Sequence, residues 1–222
     1  MAVRPSIEDV KRTFLKLLRD KKFWLPKGKN KGAVGQRIEK ILGIPNSSAC
    51  LDCSDGEVKV FPLKKMKRSG KLVPKETVAI TMRGLKPANL SNPLLWDDSD
   101  LKKKTHNMLF IPYYRDGDYI LCHWNPISFG YLSPEYIQFK TDYKTIMDYY
   151  KCHGIRTPGQ KEKAEWKKKG IKPPSLNTIN GTYIQGRTKG PGGNKPKTVG
   201  LYFRRIQFVQ NIIWSKINEN HS

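Results

Sequence analysis

Within eight residues the chain sets Asp52, Glu57 and Lys59 in the run D-C-S-D-G-E-V-K. Glu57 to Leu63 reads as a strand, so Glu57 and Lys59, two positions apart, leave the same face. Asp52, on the far side of the short Ser54-Asp55-Gly56 turn, is expected to reach that edge too. Two carboxylates on one rim suit Mg²⁺, which binds through one or two carboxylates and completes its shell with phosphate oxygens and water. A metal held this way polarises a phosphate and acidifies a bound water. A lysine beside it orients that water and offsets charge growing on phosphorus. The bland alternative is a charged hairpin on a solvated face, since E-x-K pairs are common. Asp55 is a rival ligand, although a turn position uses Asp for its own backbone hydrogen bonds.

The elements around this group follow from periodicity and punctuation. Ser6-Ile7-Glu8-Asp9 reads as a capping box, and Val10, Phe14, Leu17 and Leu18 recur at helical spacing, which predicts a helix over 7–20. A second helix is expected from Gly32 to Leu42, stopped by Gly43. Strands are expected over Ala49–Cys53, Glu57–Leu63 and Thr77–Met82, the last reached through a basic loop containing Gly70 and Pro74. Met108–Tyr114 and Tyr119–Trp124 form a further pair around Arg115-Asp116-Gly117-Asp118. Glu135–Tyr150 is expected to be helical, and Gly154–Pro174 an exposed loop with a short helix near Glu162–Lys169. Strands over Gly181–Arg187 and Thr198–Arg204 then lead to a closing helix, Gln207–Ile217. Helices flanking a sheet at both ends give an α/β or α+β class.

At 222 residues the chain is expected to form one domain. Forty-two Lys and Arg against nineteen Asp and Glu leave a net charge of +23, a field of one sign that concentrates polyanions and exchanges their counterions. Charge alone fits a non-catalytic basic DNA- or RNA-binding protein equally well. No apolar run approaches the roughly 20 residues of a membrane span. Met1 to Asp9 carries no hydrophobic signal region, so the expected location is intracellular and cytoplasmic, with no membrane partner. Cys50, Cys53, Cys122 and Cys152 are expected as reduced thiols. Cys50-x-x-Cys53 lacks the second paired spacing that structural zinc wants.

Longer blocks carry a resemblance. Lys31-Gly32-Ala33-Val34-Gly35-Gln36-Arg37-Ile38-Glu39 and Glu57-Val58-Lys59-Val60-Phe61-Pro62-Leu63 are followed by Asn92-Pro93-Leu94-Leu95-Trp96 and Met108-Leu109-Phe110-Ile111-Pro112. Asp142-Tyr143, Met147-Asp148, Gly181-Thr182-Tyr183-Ile184-Gln185-Gly186-Arg187-Thr188-Lys189 and Gly200-Leu201-Tyr202-Phe203-Arg204-Arg205 continue it. In this order, from about residue 28 to 217, the chain resembles the MutH-like endonucleases and the related restriction enzymes that cut at GATC. The resemblance implies a PD-(D/E)xK restriction-endonuclease-like fold: a mixed sheet flanked by helices, with two lobes around a DNA cleft. It implies a catalytic lobe of about 1–125, recognition elements mainly in 150–206 and a closing helix at 207–217. Asp52, Glu57 and the Val58 backbone carbonyl match its metal ligands, Lys59 its catalytic lysine, Glu39 a helix carboxylate, and Lys31 and Lys104 basic active-site residues. The step from Asp52 to Glu57 is shorter than the family's usual gap, which keeps Asp55 in contention.

Arg187, Thr188 and Lys189 match the loop such enzymes offer to the major groove, where Arg or Lys can donate two hydrogen bonds to guanine. Tyr202 matches an aromatic residue near the target adenine, and Arg204 and Arg205 are expected to grip phosphates. Together these imply a site-specific Mg²⁺-dependent endonuclease acting on double-stranded DNA, a type II restriction enzyme at GATC or a related short site, working as monomer or homodimer. A strand-nicking repair endonuclease activated by a partner protein is the second reading.

Overall fold

The computed structural model describes residues 3–30, 32–46, 49–86, 92–93, 95–155, 160–170, 178–189 and 198–220. In chain order the elements are α1 (Ile7–Leu17), β1 (Lys21–Trp24), α2 (Ala33–Ile41), β2 (Glu57–Lys65), β3 (Leu72–Pro74), β4 (Val78–Leu85), α3 (Asp100–Thr105), β5 (Asn107–Asp116), β6 (Tyr119–Cys122) and β7 (Ile127–Gly130). They continue with α4 (Tyr136–His153), α5 (Gln160–Lys168), β8 (Thr178–Asn180), β9 (Ile184–Lys189), β10 (Thr198–Phe203), a π-helical stretch Arg205–Trp214 and α6 (Ser215–Glu219). The chain divides into two compact units. The first comprises Met1–Val78, Lys103–Pro134 and Arg205–Ser222; the second comprises Ala79–Lys102 and Glu135–Arg204.

In the first unit, six strands among the described residues form one sheet in the order β1-β6-β5-β2-β3, with β7 also paired to β5. β2 and β5 are parallel, Glu57 beside Met108 and Lys59 beside Phe110; the other pairs are antiparallel. The sheet is therefore mixed and flanked by helices, the α/β class expected. Val58, Leu109, Ile111 and Ile120 pack with Val10 and Phe14 of α1 and Ile38 of α2. Strand alternation sends Phe61 and Phe110 to the opposite face, where Phe110 meets Phe129 and Phe208 at ring separations of 6.5 and 6.2 Å.

The α1 capping box is present: the Ser6 side chain accepts from the Asp9 amide, and the Asp9 carboxylate accepts from the Ser6 amide. Such caps satisfy amides that the first helical turn leaves unpaired.

The second unit holds a sheet ordered β4-β10-β9-β8, with α4 on one face. Phe139 of α4 meets Phe203 at 5.5 Å and Tyr183 at 6.4 Å. Tyr150 and Ile146 press so closely on Gly186 that a Cβ there would lie 2.6 Å from Ile146 Cγ2.

Several expectations are corrected. Ala49–Cys53 is not a strand, and Ser54-Asp55-Gly56 does not join a hairpin. The Cys53 amide donates to the Gly56 carbonyl and the Ser54 amide to the Pro5 carbonyl, so this backbone is spent on a folded loop instead of a ladder. The basic loop before β4 contains β3, whose Leu72, Val73 and Pro74 pair with Lys65, Lys64 and Leu63. Arg187, Thr188 and Lys189 are not in a loop. They finish β9, opposite Gly200, Val199 and Thr198 of β10. The closing helix is π-helical through Trp214 before becoming α-helical.

Candidate active site

Glu57 opens β2 and is 2% exposed. Its Oε1 accepts from Lys59 Nζ at 2.7 Å and from Lys104 Nζ at 2.6 Å. Its Oε2 accepts from the Asp52 amide at 3.2 Å, while Asp52 Oδ2 accepts from the Val58 amide at 3.2 Å. The two acids are thus laced reciprocally through each other's backbone. Lys59 joins because it is two residues along the same strand face. Lys104 joins for a non-local reason. β2 and β5 are parallel, so their starts lie side by side, and Lys104 near the end of α3 stands four residues before Met108, the partner of Glu57. Lysine heads this sheltered, 12% and 15% exposed beside a 3% exposed carboxylate, are a buried ion cluster. Removing one member leaves uncompensated charge.

The short Asp52-to-Glu57 step is accommodated by compressing the intervening loop. A Cβ on Gly56 would sit 2.5 Å from the Asn107 carbonyl and 2.6 Å from Ile7 Cγ1, so only glycine permits this approach. Asp55 Oδ1 accepts from the Ile7 amide at 2.8 Å, capping the start of α1. The Asp55 carbonyl accepts from Asn107 Nδ2 at 3.1 Å. The carboxylate of Asp55 is therefore occupied by the helix, and that of Asp52 accepts from the Val58 amide.

Electrostatics follow from this crowding. Burial, then the Glu57 charge, raises the Asp52 pKa above the usual carboxylate value, against the opposing pull of Lys59, the Val58 amide and Lys104. Burial also raises Glu39, with Asp52 and Glu57 adding repulsion and Lys59 opposing. Glu39, Asp52, Glu57, Lys59 and Lys104 thus share one electrostatic neighbourhood; Lys31 lies outside the described residues. Among the described residues no group of three or more His, Cys, Asp or Glu is arranged to hold a metal. Two repelling carboxylates nevertheless fit Mg²⁺, whose remaining ligands are water and phosphate. The cysteines are free thiols, and burial pushes Cys53 and Cys122 up to about 12.

In the second unit, Gln185, Arg187 and Lys189 alternate onto one face of β9. The Arg187 guanidinium and the Lys189 ammonium lie over the Tyr202 ring, 5.3 and 5.1 Å from its centroid. The Tyr202 ring covers Gly200, where a Cβ would be 3.0 Å from Cε2, and its hydroxyl lies 3.2 Å from Met82 Sδ. Arg204 donates to the Gly181 and Thr182 carbonyls at 2.5 and 3.1 Å. Arg205, in the first unit, reaches the Pro74 carbonyl at 3.5 Å.

Two residues with supporting roles went unread in the sequence. Asp142, 1% exposed, accepts from the Thr182, Tyr183 and Ile184 amides at 2.7, 2.7 and 2.8 Å. It fixes the chain just before β9, and Gly181 allows its approach, since a Cβ there would lie 2.4 Å from the carboxyl carbon. The legible signal is an acid between Phe139, Tyr143 and Ile146 on the apolar face of α4. Gln185 is the other: with its oxygen turned toward Arg187, it accepts from Nε and, at 2.7 Å, from Nη2. Its signal is the i, i+2, i+4 alternation with Arg187 and Lys189.

Residues 45–136 match the family model described as DNA mismatch repair enzyme MutH, a stretch containing Asp52, Glu57, Lys59 and Lys104. No curated protein matches the chain. Among the described residues no helix is long and apolar enough to cross a membrane.

Proposed function

Over residues 45–136 the chain is a MutH-like endonuclease family member, and from that premise we propose that it is a site-specific Mg²⁺-dependent endonuclease hydrolysing phosphodiester bonds in double-stranded DNA. The observation carrying this reading is the sheltered Glu57 carboxylate with Asp52 alongside and two lysine ammoniums within 2.7 Å. Asp52, Glu57 and the Val58 carbonyl would hold the metal, which when bound supplies polarisation of the phosphate and a more acidic water. Lys59 and Lys104 neutralise the carboxylate at rest, and one ammonium is then available to orient the attacking water and offset charge on the phosphorane. Glu39 completes the rim as an acid neighbour, and Lys31 is assigned a basic role from the sequence resemblance alone.

Arg187 and Lys189 read base edges from the end of β9, with Tyr202 beneath their charges, while Thr188, on the opposite strand face, bonds the Tyr150 side chain and supports the strand. Arg204 and Arg205 are assigned to phosphates, Arg204 with part of its donor capacity already given to Gly181 and Thr182. A net charge of +23 supports strong autonomous DNA binding and hence a type II restriction enzyme at GATC or a related short site. The repair description of the matching family supports the second reading, a nicking endonuclease dependent on a partner. Incubation of the protein with GATC-containing plasmid, methylated and unmethylated, in Mg²⁺ or EDTA separates the two. Linear fragments with one mapped end sequence support restriction; nicked circles that need an added repair partner support the other. Intact plasmid in every lane would contradict both.

A further inference from the structure

A cavity of about 580 Å³ opens beside the catalytic loop, lined by His106, Asn107, Ser128, Tyr131, Leu132 and Ser133 among others. This lies within the range of about 300–1,000 Å³ that small-ligand sites occupy. It adjoins the candidate active site: Asn107 begins β5, and its side chain donates to the carbonyl of Asp55, two residues before Glu57.

The cavity has a built wall. His106 and Tyr131 stack with ring centroids 4.3 Å apart and planes 2° from parallel. The Tyr131 amide donates to the His106 carbonyl and the Ser133 amide to the Gly130 carbonyl. Gly130 lets the two segments touch, since a Cβ there would be 2.3 Å from the His106 carbonyl. This fixed turn leaves Tyr131 54% and Leu132 83% exposed. In a chain with 42 Lys and Arg, none lines this cavity among the described residues. It is therefore unsuited to phosphate. A flat aromatic step, a projecting leucine and Asn and Ser hydrogen-bonding groups suit the face and edges of a nucleobase.

We propose that this cavity is a nucleobase subsite of the endonuclease. A base of the bound duplex next to the cut leaves its stack and lies on Tyr131, with Leu132 filling the step it vacates. The inference rests on the DNA-cleaving reading above. Aromatic side chains take up unstacked bases, and apolar wedges unstack duplex steps, in other proteins on the same physical grounds.

The test uses the full chain in EDTA and duplexes carrying the mapped cut site, in which one flanking base at a time faces an abasic position. A base already unpaired spares the enzyme the unpairing step. Wild type should bind the duplex loosened at one such position about tenfold more tightly than the intact duplex. Tyr131→Phe should keep that preference, whereas Tyr131→Ala and Leu132→Ala should lose it. A wild-type protein that cleaves DNA yet shows a flat scan overturns the subsite and leaves the nuclease reading intact. So does a Tyr131→Ala variant that keeps the preference. A wild type that neither binds nor cleaves overturns both. Tight binding of a free deoxynucleoside that does not compete with the loosened duplex would reassign the cavity to a free ligand and overturn the proposal.

Discussion

The start of β2 in the first unit and the open face of β9 and β10 in the second hold charge in opposite ways. At β2 the charges are sheltered, paired at hydrogen-bond distance and set in mutual repulsion with neighbouring acids. On β9 the cations of Arg187 and Lys189 are half-exposed and lie over an aromatic ring more than 5 Å from its centroid. Packed charge in a low-dielectric pocket is pre-organised for chemistry, because its field acts without waiting for side chains to rearrange. Half-exposed charge retains freedom to meet a partner. The fold thus supports tension in one region and adaptability in the other, and substitutions in the two should fail differently.

The largest effect is expected at β2. Lys59→Ala should lower cleavage by about 10³-fold or more, the scale of losing a group that acts on the transition state, while DNA affinity by gel shift falls only slightly. Asp52→Asn should be equally inactive, yet no less stable. The sign is fixed by the raised Asp52 pKa. Between the ordinary carboxylate value and the raised folded one, the folded state binds more protons, so stability falls as pH rises through that window. An amide removes that loss and keeps an oxygen for the Val58 amide, so thermal melting at neutral pH should occur at an equal or higher temperature. Asp55→Asn should retain most cleavage; the reverse pattern of activities would transfer the ligand role to Asp55.

The next effect is on stability. Asp142→Ala would remove the acceptor of the Thr182, Tyr183 and Ile184 amides, of which the buried Ile184 amide alone is worth about 1–3 kcal/mol when left unsatisfied, and denaturant unfolding should show the loss. Its consequence for cleavage should arise through the chain ahead of β9, so a variant that melts like wild type would contradict that role.

Much of this contrast is legible in the sequence, and the illegible parts share a physical cause. The α1 cap is local, four residues whose side chains and amides satisfy one another, and it reads directly. Glu57 and Lys59 share a face by strand period alone. Lys104 cannot be placed that way, because parallel pairing of strands some fifty residues apart brings it to Glu57. β1 was missed because Lys21–Trp24 is four residues long and exists through pairing with Cys122 to Tyr119. Ala49–Cys53 forms no strand because the Cys53 amide is satisfied by the Gly56 carbonyl within the loop, and the next amide, Ser54, by Pro5. The Gly-rich run after Lys189 drew the loop boundary too early, since β10 supplies partners as far as Lys189.

The smallest effect concerns recognition. Arg187→Ala should weaken binding to the cognate site by about 1–3 kcal/mol relative to random duplex at one fixed salt concentration, the value of a bidentate guanine contact. Lys167→Ala, on the exposed face of α5, should weaken both slightly and equally. Equal losses for Arg187→Ala on the two duplexes would make it a phosphate clamp and leave the catalytic assignment untouched.

The hydrolytic assignment of the β2 pocket is tested most directly by Glu57→Ala, compared with wild type on supercoiled plasmid at matched concentrations. Mg²⁺ should give cleaved DNA with wild type and none with EDTA or with the variant, whose DNA affinity stays the same or rises because a carboxylate facing phosphate is gone. Full Mg²⁺-dependent cleavage by a folded Glu57→Ala protein would contradict the account.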